Sequence, residues 1–501
     1  MPSQIELQLH AQLESRKARS LLRSLVVIPD SSADFSSNDF LGLARCPALG
    51  SRFLAELASF PKHTPPLGSK GSRLIDGNSH YAERLEDTIA QFHNAEAALI
   101  FNSGFDANVG FFSTVPQPGD VIFYDEYIHA SVHDGMKVSR AGIKRAFPHN
   151  DVEHLATLIE TIRREDRENI HGSSDQGSGS QKSKPRNIFV AVESVYSMDG
   201  DTAPLVEIVE LLERHDAHLI VDEAHATGVY GTNGRGLVNE LGLESRVFAR
   251  LHTFSKSLAS NGAAMVGPKV LREYLVNYAR PLIYSTFTSF SNLASVKCAY
   301  DMLISGETVP LVEKVRDLVT HFRSNICVPE HMLLPSTSPI QGIVIDGNAK
   351  VNALSRELIQ AGLNVKAIRF PTVPRGKERV RICFHSHNTM QQVDHLIQIV
   401  RRWIQHDLET GAGAGTMVVP NVDTAAVQGA EVDPADAEAI CSPATDVAVP
   451  ASIAGSASAI PPTAATSVPV APRAAVAPAP SSTLTVSTLS AKTALPFSSK
   501  L

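Results

Sequence analysis

The sequence predicts an α/β protein in which a large domain with a mostly parallel central sheet precedes a smaller α+β domain and a disordered tail. Three observations support this prediction. Short apolar runs alternate with helical segments up to residue 288, which is typical of strand–helix–strand units with right-handed crossovers. Two more apolar runs lie between helical segments at 289–408. The composition then changes sharply near residue 409.

The large domain is assigned to residues 46–288, after an N-terminal segment of residues 1–45. Its helices are predicted where apolar residues recur every three or four positions, as at 81–92 and 205–215. Its strands are predicted from short apolar runs at 97–101, 121–124, 187–193, 218–222 and 247–254. The Ser/Gly-rich stretch at 171–185 falls between a helix and a strand and is interpreted as a flexible surface insertion.

The smaller domain is assigned to residues 289–408. It begins with the helical stretch SNLASVKCAYDMLI, continues with the strand candidates IQGIVI and RVRICF, and ends with the helix QQVDHLIQIVRRWI. From residue 409 to 501 the chain has one aromatic residue, three basic residues and 11 prolines. Such a segment cannot bury enough apolar surface to offset its ordering entropy, so a disordered tail is predicted.

Composition excludes several classes of protein. The 501 residues carry a formal net charge of −7, so the sequence lacks the basic footprint of a nucleic-acid-binding protein. No apolar run reaches the roughly 18 residues of a membrane span, and no membrane association is expected. The five cysteines form no CxxC pair and are odd in number, which argues against a disulfide framework or a structural metal site.

Polar residues that follow the predicted strands mark a candidate site, because ligands of parallel sheets bind beyond the carboxyl ends of the strands. Gly104 precedes a helix and can bring backbone N–H groups close to an anion. Asp222 ends an apolar strand and needs a cationic partner. Lys256 follows an apolar segment in a Ser/Thr-rich stretch, where burial would make its amine nucleophilic towards aldehydes. His129 offers a flat ring that can stack on an aromatic cofactor.

Each feature alone also has a simpler interpretation: a glycine loop without a ligand, a solvated lysine, or a histidine that only forms hydrogen bonds. The string DEAH at 222–225 also occurs in helicases, but no GxxxxGK[ST] loop precedes it. Together, in this order along the chain, the four residues provide a phosphate cradle, a ring stacker, an acid and an amine. That set fits pyridoxal 5′-phosphate (PLP), whose phosphate, ring and aldehyde need such partners.

The chain resembles the α-oxoamine synthases, which are PLP-dependent transferases of fold type I. The resemblance extends over about residues 13–405 and implies that PLP binds in the large domain. The matching strings are DFSSNDFLGLA (34–44), NSGFDAN (102–108), ESVYSMDGD (193–201), VDEAHATGVYG (221–231), HTFSKSL (252–258), LIYSTF (282–287) and AIRFPTVPRGKERVRI (367–382).

The resemblance implies roles for the residues at matched positions. Lys256 would hold the cofactor covalently and then remove the α-proton of the amino acid, and Asp222 would pair with the ring nitrogen. The residues with implied catalytic roles are Lys256, His129, Asp222 and His225. The implied cofactor-binding residues are Gly104, Phe105, His129, Ser197, Asp222, His225, Thr253 and Lys256. The implied substrate-binding residues are Arg23, Asn38, Thr372 and Arg381, of which Arg381 would clamp the amino-acid carboxylate.

The implied reaction is the decarboxylative condensation of an amino acid with an acyl-CoA. The strings favour L-alanine and pimeloyl-CoA, which would give 8-amino-7-oxononanoate, CoA and CO2 in biotin biosynthesis. Alternatives within the family are 2-amino-3-ketobutyrate CoA ligase, 5-aminolevulinate synthase, serine palmitoyltransferase and a secondary-metabolite condensing enzyme. The alternative from another class is a non-catalytic interaction protein on the same fold. The Ser285–Thr286 pair would reach the phosphate of a partner subunit, which implies a homodimer with shared active sites.

The chain ends in Ser499-Lys500-Leu501, a peroxisomal address that an import receptor reads. A disordered tail would expose this tripeptide to the receptor. The expected location is therefore the peroxisome, with the cytosol as the alternative. Basic residues at 16–23 also suggest a mitochondrial transit peptide, but Glu6 and Glu14 oppose it because transit peptides are poor in acids.

Overall fold

The computed structural model describes residues 2–19, 21–29, 31–60, 67–172 and 184–412. The helices up to the middle of the chain are α1 (Gln4–Ala18), α2 (Pro47–Ala58), α3 (His80–Phe92), α4 (Gly104–Thr114), α5 (Ala130–Lys137), α6 (Val152–Gly172) and α7 (Leu205–Arg214). The later helices are α8 (Leu237–Glu240), α9 (Lys269–Tyr278), α10 (Arg280–Ile283), α11 (Phe290–Ile304), α12 (Val309–Asn325), α13 (Asn348–Gln360) and α14 (Met390–Ala412). No helix in these ranges is both long and apolar enough to cross a membrane.

The strands form one large and two small sheets. The strands of the first half are β1 (Ala33–Asp34), β2 (Ala97–Phe101), β3 (Val121–Asp125), β4 (Ile143–Phe147), β5 (Ile188–Glu193) and β6 (His218–Asp222). Those of the second half are β7 (Ala249–Thr253), β8 (Ala263–Gly267), β9 (Ile340–Val344), β10 (Leu363–Asn364), β11 (Lys366–Ile368) and β12 (Arg379–Cys383).

The large sheet has seven strands in the order β2-β8-β7-β6-β5-β3-β4. Strands β3 to β7 pair in parallel, whereas β8 is antiparallel to both of its neighbours, β7 and β2. Only residues 254–262 connect β7 to β8, and a parallel pair needs a crossover of a dozen or more residues. The prediction of a mostly parallel central sheet is confirmed, with one antiparallel strand set by a short connection.

Helices cover both faces of this sheet, which explains why its central strands are continuous apolar runs. On one face, Leu155 of α6 and Leu205 of α7 pack against Val190 of β5. On the other face, Phe111 of α4 and Val132 of α5 join the buried cluster. The carboxyl ends of β3, β5, β6 and β7 therefore open together at one edge of a rigid core.

A second core lies in the C-terminal part. The antiparallel sheet β11-β12-β9 packs with α12, α13 and α14. The N-terminal segment joins this core, because β1 pairs with β10, Phe35 is fully buried in it and the Phe35 carbonyl accepts the N–H of Cys383 at 2.8 Å. The domain boundaries given from the sequence stay predictions.

Two elements differ in extent from the sequence-based expectation. Helix α14 continues through Ala412, so residues 409–412 belong to a helix and not to the predicted tail. The Thr410 hydroxyl donates to the His406 carbonyl at 2.7 Å within this last part of the helix. Strand β7 covers only 249–253 of the predicted 247–254. Most of the predicted insertion and tail, including Ser499-Lys500-Leu501, lie outside the described residues.

Candidate active site

The candidate site forms where neighbouring parallel strands of the large sheet end. Glu193 ends β5 and Asp222 ends β6, and the two are direct partners in the strand register. Thr253 ends β7, and Lys256 follows it by three residues. Side chains of register partners in a parallel pair point to the same face. The topology thus gathers residues that are distant along the chain at one sheet edge.

A buried hydrogen-bond chain connects Asp222 to His129. Asn108 on α4 donates its amide to Asp222 Oδ2 at 2.9 Å and to the Ser131 hydroxyl at 2.9 Å. His129 caps α5, and its Nδ1 accepts the N–H of Ser131 at 3.2 Å and lies 2.8 Å from the Ser131 hydroxyl. Burial lowers the pKa of His129. Since Nδ1 is an acceptor, the neutral ring carries its proton on Nε2.

Lys256 lies partly buried beside this chain of residues. Burial lowers the pKa of its amine to about 8, although Asp222 and Glu193 oppose that shift. An amine with this pKa is partly unprotonated near neutral pH. It can therefore act as a nucleophile or as a base, which an ordinary surface lysine cannot do.

His225 faces the same region from the loop after β6. It is buried, and its Nδ1 has no hydrogen-bond partner among the described residues. Burial and the neighbouring charge of Lys256 hold its pKa well below the usual value. The ring of Phe40 lies 6.0 Å from the His225 ring, centroid to centroid. A neutral imidazole with a buried, unsatisfied nitrogen is suited to a polar ligand atom.

Arg381 reaches the site from the C-terminal sheet. Its Nε donates to the Ser197 carbonyl at 2.6 Å and its terminal nitrogens donate to Asn38 Oδ1 and to Cys383 Sγ, each at 3.0 Å. None of these partners is a carboxylate, so the buried guanidinium has no full counter-charge among them. An arginine held in this way is prepared for an anionic ligand such as a carboxylate.

The loop that carries Ser197 is fastened to the same strand. Arg379 lies on β12, two residues before Arg381, and forms an ion pair with Asp199 of this loop. Gly200 has φ of 78°, and a Cβ there would lie 2.2 Å from the Ile340 carbonyl. Only glycine lets the backbone at position 200 come this close to Ile340 of β9. The loop after β5 is thereby packed against the C-terminal sheet.

The start of α4 provides the predicted phosphate cradle. Gly104 begins the helix after Ser103, whose hydroxyl accepts the N–H of Asp106 at 3.0 Å. A Cβ on Gly104 would lie 3.7 Å from the Thr253 hydroxyl, so the predicted pair is adjacent. Phe105, the next residue, is 44% exposed. The free N–H groups of the first turn and the helix dipole favour an anion there.

Two predicted substrate residues, Arg23 and Thr372, line a cavity of their own. Arg23 and Thr372 are both exposed and line a small cavity of about 80 Å³ with Arg16 and Phe370. Lys256 is not among the residues that line this cavity. Their implied substrate roles stay predictions.

Three residues of the site were not singled out from the sequence: Asn108, Ser131 and Glu193. Asn108 and Glu193 stand inside the matched strings, and Ser131 follows His129 by two residues. Only their position near predicted strand ends could have pointed to them, because a polar residue there has no distinctive sequence spacing. The hydrogen bonds between α4, α5 and β6 appear only after folding.

One group of possible metal ligands occurs among the described residues: Asp34, His385 and His387, with ligand atoms within 4.8 Å of one another. The Nε2 of His385 lies 3.1 Å from the Ser37 carbonyl, and its Nδ1 lies 3.3 Å from Asn388 Oδ1. Both ring nitrogens of His385 therefore face protein oxygens. We assign this ring a structural role in fastening the N-terminal segment to the end of β12.

The arrangement fits PLP. His225 Nδ1 and Glu193 Oε1 are buried polar atoms without a partner in the described part of the chain. Asp222 can face a ring cation, Lys256 can condense with the aldehyde, and Gly104 with Thr253 can bind the phosphate. His129 could stack on the ring.

Comparison with known proteins supports this interpretation. The family model of class I and II aminotransferases matches residues 32–400. The 8-amino-7-oxononanoate synthase of Emericella nidulans is 45% identical over 408 residues, covering 79% of this chain and 95% of that protein. The aminoacyl transferase sphA of Byssochlamys spectabilis is 36% identical over 410 residues, covering 77% and 84%.

A solved structure matches the fold. A serine palmitoyltransferase variant from S. paucimobilis, with a bound PLP–myriocin aldimine, is 23% identical with a TM-score of 0.67. The match covers 82% of this chain and 100% of that chain. Fold and site define a PLP-dependent transferase of fold type I. With these relatives, the chain belongs to the α-oxoamine synthase family and is a PLP-dependent acyltransferase.

Proposed function

We propose that the protein condenses L-alanine with pimeloyl-CoA to form 8-amino-7-oxononanoate, CoA and CO2. The observation that carries the reaction type is the placement of Lys256, whose amine has a pKa of about 8 and whose electrostatic neighbours are Asp222 and Arg381. The choice of substrates is supported by the relative from E. nidulans, which bears the name of this product and is 45% identical.

The amino acid would be oriented by Arg381, whose guanidinium is fixed by the Ser197 carbonyl and Asn38. When bound, PLP supplies an electron sink for the negative charge that develops at the α-carbon. The Nζ of Lys256 would take the α-proton and later return a proton to the product. Asp222, fixed by Asn108, would keep a proton on the ring nitrogen of the cofactor.

His129 and His225 would act as neutral groups, because burial lowers the pKa of both rings. His129 would cover one face of the cofactor, while His225 would hydrogen-bond to a polar atom of it through a ring nitrogen. Neither residue then adds a positive charge that would compete with Arg381 for the substrate carboxylate.

The test is CoA release by the purified enzyme from a matrix of acyl-CoAs and amino acids. We expect pimeloyl-CoA with L-alanine to exceed acetyl-CoA with glycine, succinyl-CoA with glycine and palmitoyl-CoA with serine by at least about tenfold in kcat/KM. Because one methylene contributes only about 1–3 kcal/mol to discrimination, neighbouring chain lengths should differ less. A preference for glycine and a short acyl-CoA would contradict the biotin proposal.

A second candidate is a secondary-metabolite condensing enzyme, because the chain is also 36% identical to an aminoacyl transferase. The substrate matrix separates the two candidates. Activity with long-chain acyl-CoAs and little with pimeloyl-CoA would favour the second.

We propose a peroxisomal location on the basis of the terminal Ser499-Lys500-Leu501. A fluorescent protein fused to the N-terminus of the full chain should enter peroxisomes, and the same fusion without the last three residues should stay in the cytosol. Equal distributions of the two fusions would refute the import receptor as a partner.

We further propose that the enzyme is a homodimer. In the described chain Asn102 donates its amide to the Ser285 hydroxyl at 3.2 Å, so the Ser285–Thr286 pair lies beside the α4 cradle of its own subunit. Its contact with the phosphate site of a partner subunit stays a prediction. Exposed apolar side chains nearby include Tyr284 and Phe105, at 72% and 44% exposure, which a second copy would cover. Sedimentation of the holoenzyme as a monomer at micromolar concentration would contradict this.

A further inference from the structure

Glu193 is a buried carboxyl group that the proposed chemistry does not use. It ends β5, directly beside Asp222 in the strand register, and is 3% exposed. Its Oε2 accepts the N–H of Ser197 at 3.1 Å. Its Oε1 is fully buried and has no hydrogen-bond partner among the described residues. An ionised carboxylate oxygen without a donor would be strongly disfavoured at such a position.

The hydrogen bonds divide the charge between the two neighbouring acids. Both oxygens of Asp222 accept N–H donors, from Asn108 at 2.9 Å and from the Ala224 backbone at 3.0 Å. Glu193 receives only one. Register partners on adjacent strands lie about 4.8 Å apart, and two carboxylates that share a site do not both ionise readily. Glu193, which has fewer hydrogen-bond donors than Asp222, is therefore the acid of this pair that keeps the proton.

The titratable groups that face Glu193 are consistent with this division. They are Asp222, Lys256, Asp125 and Tyr196. Burial and the charge of Asp222 raise the pKa of Glu193 well above its usual value, and the ammonium of Lys256 only partly opposes them. Asp125 is compensated by His149, whose Nδ1 lies 2.9 Å from its carboxylate.

We propose that Glu193 is a positioning residue that works as a neutral acid, leaving Asp222 as the single anion that meets the ring cation of PLP. Oε1, which has no partner among the described residues, would then carry a buried hydrogen-bond donor. The inference rests on the PLP chemistry of the proposed function and not on the identity of the acyl-CoA. The inference gives Glu193, the first residue of the ESVYSMDGD string, a role beside that of Ser197.

The first test compares Glu193→Gln with Glu193→Met in the holoenzyme. Glutamine keeps the size, the neutrality and a donor, so kcat/KM at neutral pH should stay within about threefold of the wild type. Methionine keeps the volume but leaves the Ser197 N–H unpaired, so kcat/KM should fall by about tenfold or more. If Glu193→Gln is impaired as strongly as Glu193→Met, the working form of Glu193 is ionised and the inference is wrong.

The second test needs no substrate and follows unfolding of the holoenzyme by urea between pH 5 and pH 8. A raised pKa means that folded Glu193 keeps a proton that the unfolded chain releases above about pH 4.3. The stability of the wild type relative to Glu193→Gln should therefore fall as pH rises through this window. Glu210→Gln, an exposed change on α7, should give a curve parallel to the wild type.

A wild-type curve parallel to that of Glu193→Gln would overturn the inference, because it would mean that folding does not shift this pKa. The outcome of this unfolding test does not depend on which substrates the enzyme uses. An enzyme that prefers another acyl-CoA would remove the biotin assignment, while the unfolding curves would still decide whether Glu193 carries a proton.

Discussion

Replacement of Lys256 with alanine is expected to lower kcat by at least about 10³-fold while the protein remains folded. The amine is the single lysine nitrogen at the strand ends of the described site, and it serves both as the covalent partner of PLP and as the base at the α-carbon. Borohydride reduction of wild-type holoenzyme should fix the cofactor to this side chain. In Lys256→Ala no cofactor should remain after reduction and unfolding, as checked by absorbance and peptide mass.

A control variant and a pH dependence accompany this prediction. Lys269→Ala removes an exposed lysine at the start of α9 and should keep full activity and full cofactor trapping. Because the neutral amine is the reactive form and burial sets the pKa of Lys256 to about 8, capture of PLP by the cofactor-free wild type should accelerate as pH rises, with its midpoint near pH 8. Stable trapping of PLP in Lys256→Ala would assign the covalent link to another residue.

Replacement of Asp222 with asparagine is expected to lower kcat by roughly 10²- to 10⁴-fold. Asn108 and the Ala224 N–H fix the Asp222 carboxylate, and its negative charge favours the protonated ring of the cofactor. An amide has nearly the same shape but no charge, so the ring nitrogen should lose its proton and the electron sink should weaken. The amide should also clash electrostatically with the donor group of Asn108, and PLP should bind less tightly.

The matched control is Asp216→Asn, two residues before the start of the same strand. Asp216 is exposed and adopts φ of 48°, a conformation that asparagine tolerates well. Steady-state kinetics should leave this variant within about twofold of the wild type. If Asp222→Asn retained comparable turnover, Asp222 would not be the partner of the ring nitrogen.

The two acids at the strand ends are thus expected to respond in opposite ways to the same chemical change. The substitution Asp222→Asn removes a negative charge that the site requires, whereas Glu193→Gln keeps the side chain uncharged, as the site requires. This contrast follows from the donors around each group: two N–H groups hold Asp222 and one holds Glu193. Two isosteric substitutions on adjacent strands therefore report on the charge distribution of the site.

The order of helices and strands could be predicted from local pattern. Helix α7 and strand β6 lie where apolar spacing placed them, because both are buried on faces that periodicity reveals. The extension of α14 to Ala412 and the antiparallel direction of β8 were not predicted. Both depend on backbone bonds and connection lengths that composition does not encode.

Local sequence pattern was enough to identify the reactive groups of this protein: an amine at Lys256, an acid at Asp222 and a glycine that opens α4, each at a strand end or within three residues of one. The charges and contacts of these groups were set by folding. Asn108 links Asp222 to Ser131 across α4 and α5, and Arg381 arrives from a different sheet to bond the Ser197 carbonyl. The physical reason is that protonation depends on burial and on the donors nearby, and these come from residues far apart along the chain.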